Sequence, residues 1–180
     1  MANHSNQDYH RLRSGLTLYP AQYAALDQTL ADLTQKLPAQ LVVLTDVSGQ
    51  LVAARGEQER INLVALGSLI SGDLAASQEI ARLMGEYQDH QMVLREGRTA
   101  HTFIVEAGHH LALLVRLSQE VPLGWARMVI RQGAQQLAEI AAAQPAQPLE
   151  SELAGSVEAL LGEEALPNLF SEALDDLWTE

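Results

Sequence analysis

Residues 40–54 read Gln40-Leu41-Val42-Val43-Leu44-Thr45-Asp46-Val47-Ser48-Gly49-Gln50-Leu51-Val52-Ala53-Ala54. The first half is an apolar run rich in Leu and Val that is too short for a helix and is typical of a buried strand. Asp46 and Gly49 follow where a tight turn favours Asp and Gly, and an apolar run then resumes. These residues therefore predict a β-hairpin whose turn is formed by the Asp46 side chain.

Helical patterns lie on both sides of this hairpin. Before it, Pro20 is typical of a first helical turn, and apolar residues recur at helical spacing until Pro38. After it, residues 62–84 form the longest helical pattern in the chain, and Gly85 favours a helix end. A last helix is predicted over residues 123–142.

Three short strands are predicted between the second and third helices, at residues 91–95, 102–106 and 111–117. Short glycine-containing turns link them, so they should be antiparallel neighbours. The element order is αββαβββα. It predicts an α+β fold with a five-stranded antiparallel sheet flanked by helices.

The charge distribution divides the chain into segments. Residues 1–142 carry 14 acidic and 11 basic side chains, a balance of −3, whereas residues 143–180 carry 9 acidic and none basic, a balance of −9. We predict a polar N-terminal segment (1–19), a domain (20–142), a linker (143–149) and an acidic tail (150–180). Such a tail repels nucleic acid and anionic membranes, so neither is an expected partner.

The start of the chain lacks the apolar run of a secretory signal, and no apolar stretch reaches the length of a membrane span. A cytoplasmic location is therefore the expectation.

Few side chains suggest chemistry. The chain has no cysteine, which excludes disulfides, thiolate nucleophiles and Cys-based zinc sites. His109 and His110 are adjacent, with His101 on the preceding strand, but neighbouring strand residues point to opposite faces and do not easily share one metal ion. Ser48 lacks the Gly-x-Ser-x-Gly context of a nucleophile. We expect no catalytic residue, no metal and no cofactor.

Two arginine pairs, Arg95 with Arg98 and Arg127 with Arg131, permit two interpretations. Either pair could supply an arginine that stabilises charge during phosphoryl transfer. The simpler interpretation, which we favour, is an exposed face with charge-balancing contacts. The sequence contains no phosphate-binding loop, so the chain should not hydrolyse GTP by itself.

The ordered set of patterns from about Pro38 to Ile140 resembles the roadblock family, the dynein light-chain roadblock type. The matching features are residues 41–49, the strand 51–53, the long helix rich in small residues, the Glu96-Gly97 turn, the strand 111–115 and Leu123-Gly124 before the last helix. The resemblance covers over half of the chain and excludes the tail.

The resemblance implies a small homodimer, with a sheet that continues across the subunits and long helices packed together. It also implies a regulator or scaffold that binds a Ras-like small GTPase. Some bacterial family members resemble GTPase-activating partners that reshape the site of the GTPase without donating catalytic groups.

The long helix carries small residues that suggest close backbone approach, since each mid-helix glycine costs about 1 kcal/mol relative to alanine. With the resemblance, they suggest a dimer seam. The alternative is tight packing on the chain's own sheet. The predicted seam residues are Gly67, Ser68, Ser71, Gly72, Ala75 and Ala76.

The tail contains two short amphipathic acidic segments that could dock in a groove, pack on their own domain or stay disordered. Phe170 and Trp178 would be the anchors, because aromatic side chains supply large contact areas. The docking residues would be Leu153, Val157, Leu160, Leu161, Leu166, Leu169, Phe170, Leu174, Leu177 and Trp178.

Two other functional classes compete with a protein-binding regulator. A small-molecule sensor domain of PAS or GAF type also mixes short antiparallel strands with helices, and it needs an internal pocket. An enzyme is the weaker alternative, because the sequence shows no credible triad and no metal-ligand spacing.

Overall fold

The computed structural model describes residues 9–85 and 91–143. In chain order, the elements are β1 (His10–Arg11), β2 (Thr17–Leu18), α1 (Pro20–Lys36), β3 (Ala39–Asp46), β4 (Leu51–Gly56), α2 (Leu63–Met84), β5 (Met92–Glu96), β6 (Ala100–Ala107), β7 (Leu111–Ser118) and α3 (Leu123–Ala142). The predicted α+β fold and its αββαβββα order are confirmed. Apart from Ala143, which follows the end of α3, the predicted linker and the acidic tail lie outside the described residues.

The five longer strands form one antiparallel sheet in the order β4-β3-β7-β6-β5. The predicted hairpin is the β3–β4 pair, and β3 also pairs along its length with β7. The two edges of the sheet are therefore β4 and β5.

Helices cover both faces of the sheet because successive strand residues point to opposite sides. On β3, Val42 and Leu44 join the core beneath α1 and α3, whereas Leu41 and Val43 join the core beneath α2. None of the helices in the described residues combines the length and the apolar character that a membrane span requires.

The N-terminal segment contains a small hairpin that sequence patterns did not predict. Strands β1 and β2 pair antiparallel, and the side chains of Leu12 and Leu18 are 3% and 1% exposed in the α1–α3 core. Two-residue strands are too short to show the alternation by which strands are recognised. This hairpin places the segment before α1 against the body of the domain.

Candidate functional site

Helix α2 begins and ends with well-formed caps. The side chain of Asn62 accepts a hydrogen bond from the backbone N–H of Ala65 at 3.1 Å, which satisfies one of the free donors of the first turn. The helix ends at Gly85, whose φ of 72° is the left-handed conformation that glycine adopts readily. Both ends are thus fixed by local sequence, and the face that α2 turns to the sheet is set by packing.

The outward face of α2 is apolar although it faces away from the core. Leu69 and Leu83 are 70% and 80% exposed. With Ala65, Gly72 and Ala76 they lie at heptad spacing, the spacing by which two helices pack along a seam, and the exposed Glu79 is the charged residue in the same series. We call the five uncharged residues the outward stripe. Other exposed apolar side chains of α2 are Val64, Ile80 and Met84.

This concentration makes α2 the candidate interaction surface. Half of the exposed large hydrophobic side chains among the described residues belong to this one helix. Single exposed apolar side chains are ordinary on protein surfaces, whereas contiguous groups of them mark binding sites.

The structure separates the predicted seam residues into two groups. Ser68, Gly72, Ala75 and Ala76 are exposed on the outward side of α2. Gly67 is buried against the β3–β4 turn, where an added Cβ would lie 2.2 Å from the carbonyl oxygen of Gly49. The hydroxyl of Ser71 donates to the carbonyl oxygen of Val47 in the same turn at 2.6 Å. The seam stays a prediction, and within it Gly67 serves packing inside the chain.

Sequence reasoning did not assign the large outward side chains to the seam. Leu69, Ile80 and Leu83 belong to the same apolar periodicity as the buried Ile70 and Leu74. The available signal was apolar residues on more than one face of the helix, which is typical of a helix covered on two sides.

Polar contacts fix α2 over the β5–β6 side of the sheet. Asp73 forms an ion pair with Arg95 of β5, and the amide of Gln78 donates to the carboxylate of Glu106 of β6. Glu106 is buried, so this hydrogen bond satisfies a carboxylate that would otherwise be costly to bury. The Asp73–Arg95 ion pair joins α2 to the edge strand β5, where Met92, Val93 and Leu94 are partly exposed.

Asp46 organises the turn beneath the start of α2. Its fully buried carboxylate accepts hydrogen bonds from the backbone N–H groups of Ser14, Ser48 and Gln50 at 2.8–2.9 Å and from the Ser48 hydroxyl at 2.7 Å. Burial acts to raise the pKa of Asp46, but the hydrogen bonds from Ser48, Ser14 and Gln50 outweigh it, so the pKa lies below the ordinary value. The predicted structural role of Asp46 is confirmed, and its bond to Ser14 ties the N-terminal hairpin to the turn.

The remaining candidates do not form a chemical site. His109 and His110 are exposed in the β6–β7 turn, and His101 is on β6. Within residues 9–85 and 91–143, no three His, Asp or Glu side chains gather in a way that could hold a metal ion. Arg98, Arg127 and Arg131 are exposed. The ten predicted docking residues of the tail lie outside the described residues.

Comparison with solved structures supports a relationship to known proteins. The gliding protein MglB of Thermus thermophilus is 25% identical with a TM-score of 0.64, and the match covers 72% of this chain and 98% of that one. An MglB with a tetrameric arrangement is 27% identical with a TM-score of 0.65, covering 72% and 97%. A Roadblock/LC7 domain from Streptomyces avermitilis, 19% identical with a TM-score of 0.56 over 62% and 92%, shares the fold.

The chain has the roadblock fold, and its likeness to the MglB proteins supports an assignment to the roadblock family. No protein-family model and no curated protein matches the sequence. The MglB matches span nearly the whole length of those proteins.

Proposed function

We propose that this roadblock protein is a non-catalytic regulator or scaffold that forms a homodimer along α2 and binds a Ras-like small GTPase. The observation that carries the proposal is the outward stripe of α2, an exposed apolar face on the helix that an ion pair joins to β5, an edge strand of the described sheet. In this proposal, the GTPase supplies the nucleotide, Mg²⁺ and the catalytic groups, and the roadblock dimer changes the rate of GTP hydrolysis by contact.

The size of the surface favours joint use of α2 and β5. The apolar residues of α2 extend from Val64 to Met84, a length of about 30 Å at 1.5 Å per residue. One helix face of that length is too small for a stable interface, which usually buries about 800 Å² on each partner. Pairing of β5 edges beside the helices would add the missing area and continue the sheet across the subunits.

Small residues in the outward stripe favour helix-to-helix contact. Apart from its own stretch of helix, none of the described residues has an atom within 4 Å of the position that a Cβ on Gly72 would occupy. A helix from a second copy could therefore approach the backbone closely at Gly72 and Ala76, while Leu69 and Leu83 pack on either side.

The choice of a GTPase as partner rests on the roadblock resemblance and on the charge of the chain. The body is nearly charge-neutral and the tail is acidic, so the chain lacks the basic footprint of a nucleic-acid-binding protein. The likeness to MglB supports a role in protein assembly, since one such structure is tetrameric.

The test combines light scattering with two matched variants. The double variant Leu69→Glu/Leu83→Glu places charges on the outward stripe, and Met128→Glu places one on α3, where Met128 is 60% exposed. We expect the wild-type protein and Met128→Glu to be dimers and the double variant to be a monomer. Mixing with a Ras-like GTPase from the same cell, loaded with a GTP analogue, should produce a larger complex only with the dimers.

Three outcomes would contradict parts of the proposal. A monomeric wild-type protein would remove the homodimer, and a dimeric double variant would move the interface away from α2. A dimer that binds no GTPase, but co-purifies with a small coloured or fluorescent ligand, would favour the sensor alternative.

A further inference from the structure

Three of the four tyrosines of the chain line one groove beside the N-terminal hairpin. Tyr9, Tyr19 and Tyr23 contribute to it, in a protein in which only 4% of residues are aromatic. The groove has a volume of about 580 Å³, within the range of roughly 300–1,000 Å³ that is common for ligand sites. The other lining residues are His10, Leu18, Pro20, Leu51 and Val52.

The groove is open at its rim. Tyr9 and Tyr23 remain 58% and 45% exposed, whereas Leu18 and Val52 on the floor are buried. An open, aromatic-walled groove suits an extended chain segment that lies across it with both ends in solvent. It suits an enclosed small molecule less well, since binding sites for such molecules bury most of the ligand surface.

The lining residues select a neutral ligand. Among the described residues that line the groove, none is Asp, Glu, Lys or Arg, so apart from the imidazole of His10 they offer no carboxylate or cation to pair with a charged group. It offers flat apolar rings together with hydroxyl groups that can donate hydrogen bonds. Tyrosine combines these properties and is enriched at binding surfaces for that reason.

The neighbouring edge strand is closed to strand addition. The Tyr23 hydroxyl donates to the carbonyl oxygen of Val52 at 3.1 Å, and the Gln58 amide donates to that of Ala54 at 3.1 Å. A peptide that added to β4 as a new strand would need these acceptors. A ligand in the polyproline II conformation does not need these acceptors, because its recognition rests on ring contacts and single hydrogen bonds to its carbonyl groups.

We propose that the tyrosine groove binds a neutral proline-rich segment of a partner protein in the polyproline II conformation. The rings of Tyr9, Tyr19 and Tyr23 pack against the prolines, and the hydroxyls of Tyr9 and Tyr19 donate to the ligand's carbonyl oxygens. The site uses none of the residues of the outward stripe, so it stands independently of the proposed dimer and GTPase.

The test is a fluorescence anisotropy titration of the full chain with a labelled decapeptide built from two Pro-Pro-Ala-Leu-Pro repeats. A second decapeptide carries threonine in place of every proline, which removes the polyproline II preference and favours strand formation. We expect saturable binding of the proline peptide, and we expect the threonine peptide to bind more weakly by about fivefold or more.

Two variants locate the binding. Tyr9→Ala removes an exposed ring from the groove, and we expect about fivefold weaker binding of the proline peptide because exposed aromatic anchors dominate such contacts. Trp125→Ala removes a comparably exposed ring from α3, where Trp125 is 41% exposed, and should leave binding unchanged. Circular dichroism checks that each variant is folded.

A mapping experiment keeps the proposal open to refutation if a variant is unstable. In ¹H–¹⁵N spectra of the wild-type protein, the proline peptide should shift the amide signals of His10, Tyr23 and Leu51. Equal binding of both peptides, equal affinity of Tyr9→Ala and wild type, or shifts confined to other elements would each overturn the proposal.

Discussion

At the residue scale, one carboxylate connects three parts of the chain. Asp46 accepts hydrogen bonds from the N-terminal hairpin at Ser14 and from the β3–β4 turn at Ser48 and Gln50. That turn also contacts α2 through Gly49. The hydrogen bonds hold the pKa of Asp46 below its ordinary value in the folded state, so the ionised carboxylate stabilises the fold.

We predict that Asp46→Ala lowers the free energy of unfolding by about 3 kcal/mol near neutral pH, because buried N–H groups lose a charged acceptor. The stabilisation is present above the pKa of Asp46 in the unfolded chain and is lost as the pH falls through the lowered pKa of the folded state. The deficit of the variant should therefore shrink in acid. Urea unfolding of both proteins across a pH series measures it, and a deficit that is independent of pH would contradict this prediction.

Two glycines of α2 provide a matched pair of substitutions. Gly67→Ala should destabilise the protein by about 1–3 kcal/mol, because the new Cβ meets the rigid backbone at Gly49. The new Cβ of Gly72→Ala meets no described residue outside its own stretch of helix, so this substitution should stabilise α2 by up to about 1 kcal/mol. Urea unfolding of each variant in a Leu69→Glu/Leu83→Glu background excludes effects of self-association. Equal effects of the two substitutions would show that the Gly49–Gly67 approach is not tight.

At the element scale, most helices and strands were predictable because each has a clear signal of its own. Pro20 marks the start of α1, Gly85 follows the end of α2, and the apolar runs of β3 and β7 are long enough to identify buried strands. The β1–β2 hairpin was not predictable, since its strands are two residues long and its stability comes from Leu12 and Leu18 in a core assembled from distant parts of the chain.

The orientation of α2 illustrates the limit of pattern reasoning at the candidate site. Small residues lie on both sides of this helix, and close approach to the chain's own turn and close approach to a partner require the same residue types. The sequence therefore predicted a set of seam residues in which Gly67 faces inward while Gly72 faces outward. Only the position of the β3–β4 turn distinguishes the inward-facing glycine from the outward-facing one.

The contact between α1 and α3 yields a prediction at this scale. The amide of Gln22 in α1 donates to the carbonyl oxygens of Ile140 and Ala143 at 2.9 and 2.8 Å, while its oxygen accepts from the backbone N–H of Tyr19 at 3.1 Å. We expect Gln22→Glu to accelerate hydrogen exchange in the last turn of α3 more than Gln22→Ala does. A carboxylate cannot donate to the two carbonyl groups and would repel them.

Hydrogen exchange of peptides from α3, measured by mass spectrometry in both Gln22 variants, tests this prediction. The first turn of α3 is the internal reference. Faster exchange that is spread evenly over the helix would indicate global destabilisation instead of the loss of this tie.

At the scale of the whole molecule, the sheet separates two unlike surfaces. The α1–α3 layer buries most of its apolar side chains, whereas α2 buries Ile70 and Leu74 and leaves Leu69 and Leu83 in solvent. The fold of a single chain could be predicted from the order of its elements. The assembly of chains could not be predicted in this way, because it depends on which side chains remain uncovered after folding.

The composition of the outward stripe predicts how the proposed dimer responds to salt. Burial of apolar groups is insensitive to ionic screening, and the charged pair nearby, Glu79 with Arg82, belongs to a single helix. We expect the dissociation constant of the dimer to change by less than about threefold between about 0.05 M and about 0.5 M NaCl. Sedimentation equilibrium at several salt concentrations measures it. A steep dependence would indicate that charged residues outside the stripe dominate association.

The occupied carbonyl groups of β4 also bear on how far an assembly can grow. The sheet has two edge strands. At one of them, β4, the side chains of Tyr23 and Gln58 already donate hydrogen bonds to backbone carbonyl groups. Joining of two copies through β5 would leave only blunted edges on the outside. In the proposed dimer such pairing would stop at two copies, which would protect the protein against polymerising into fibres.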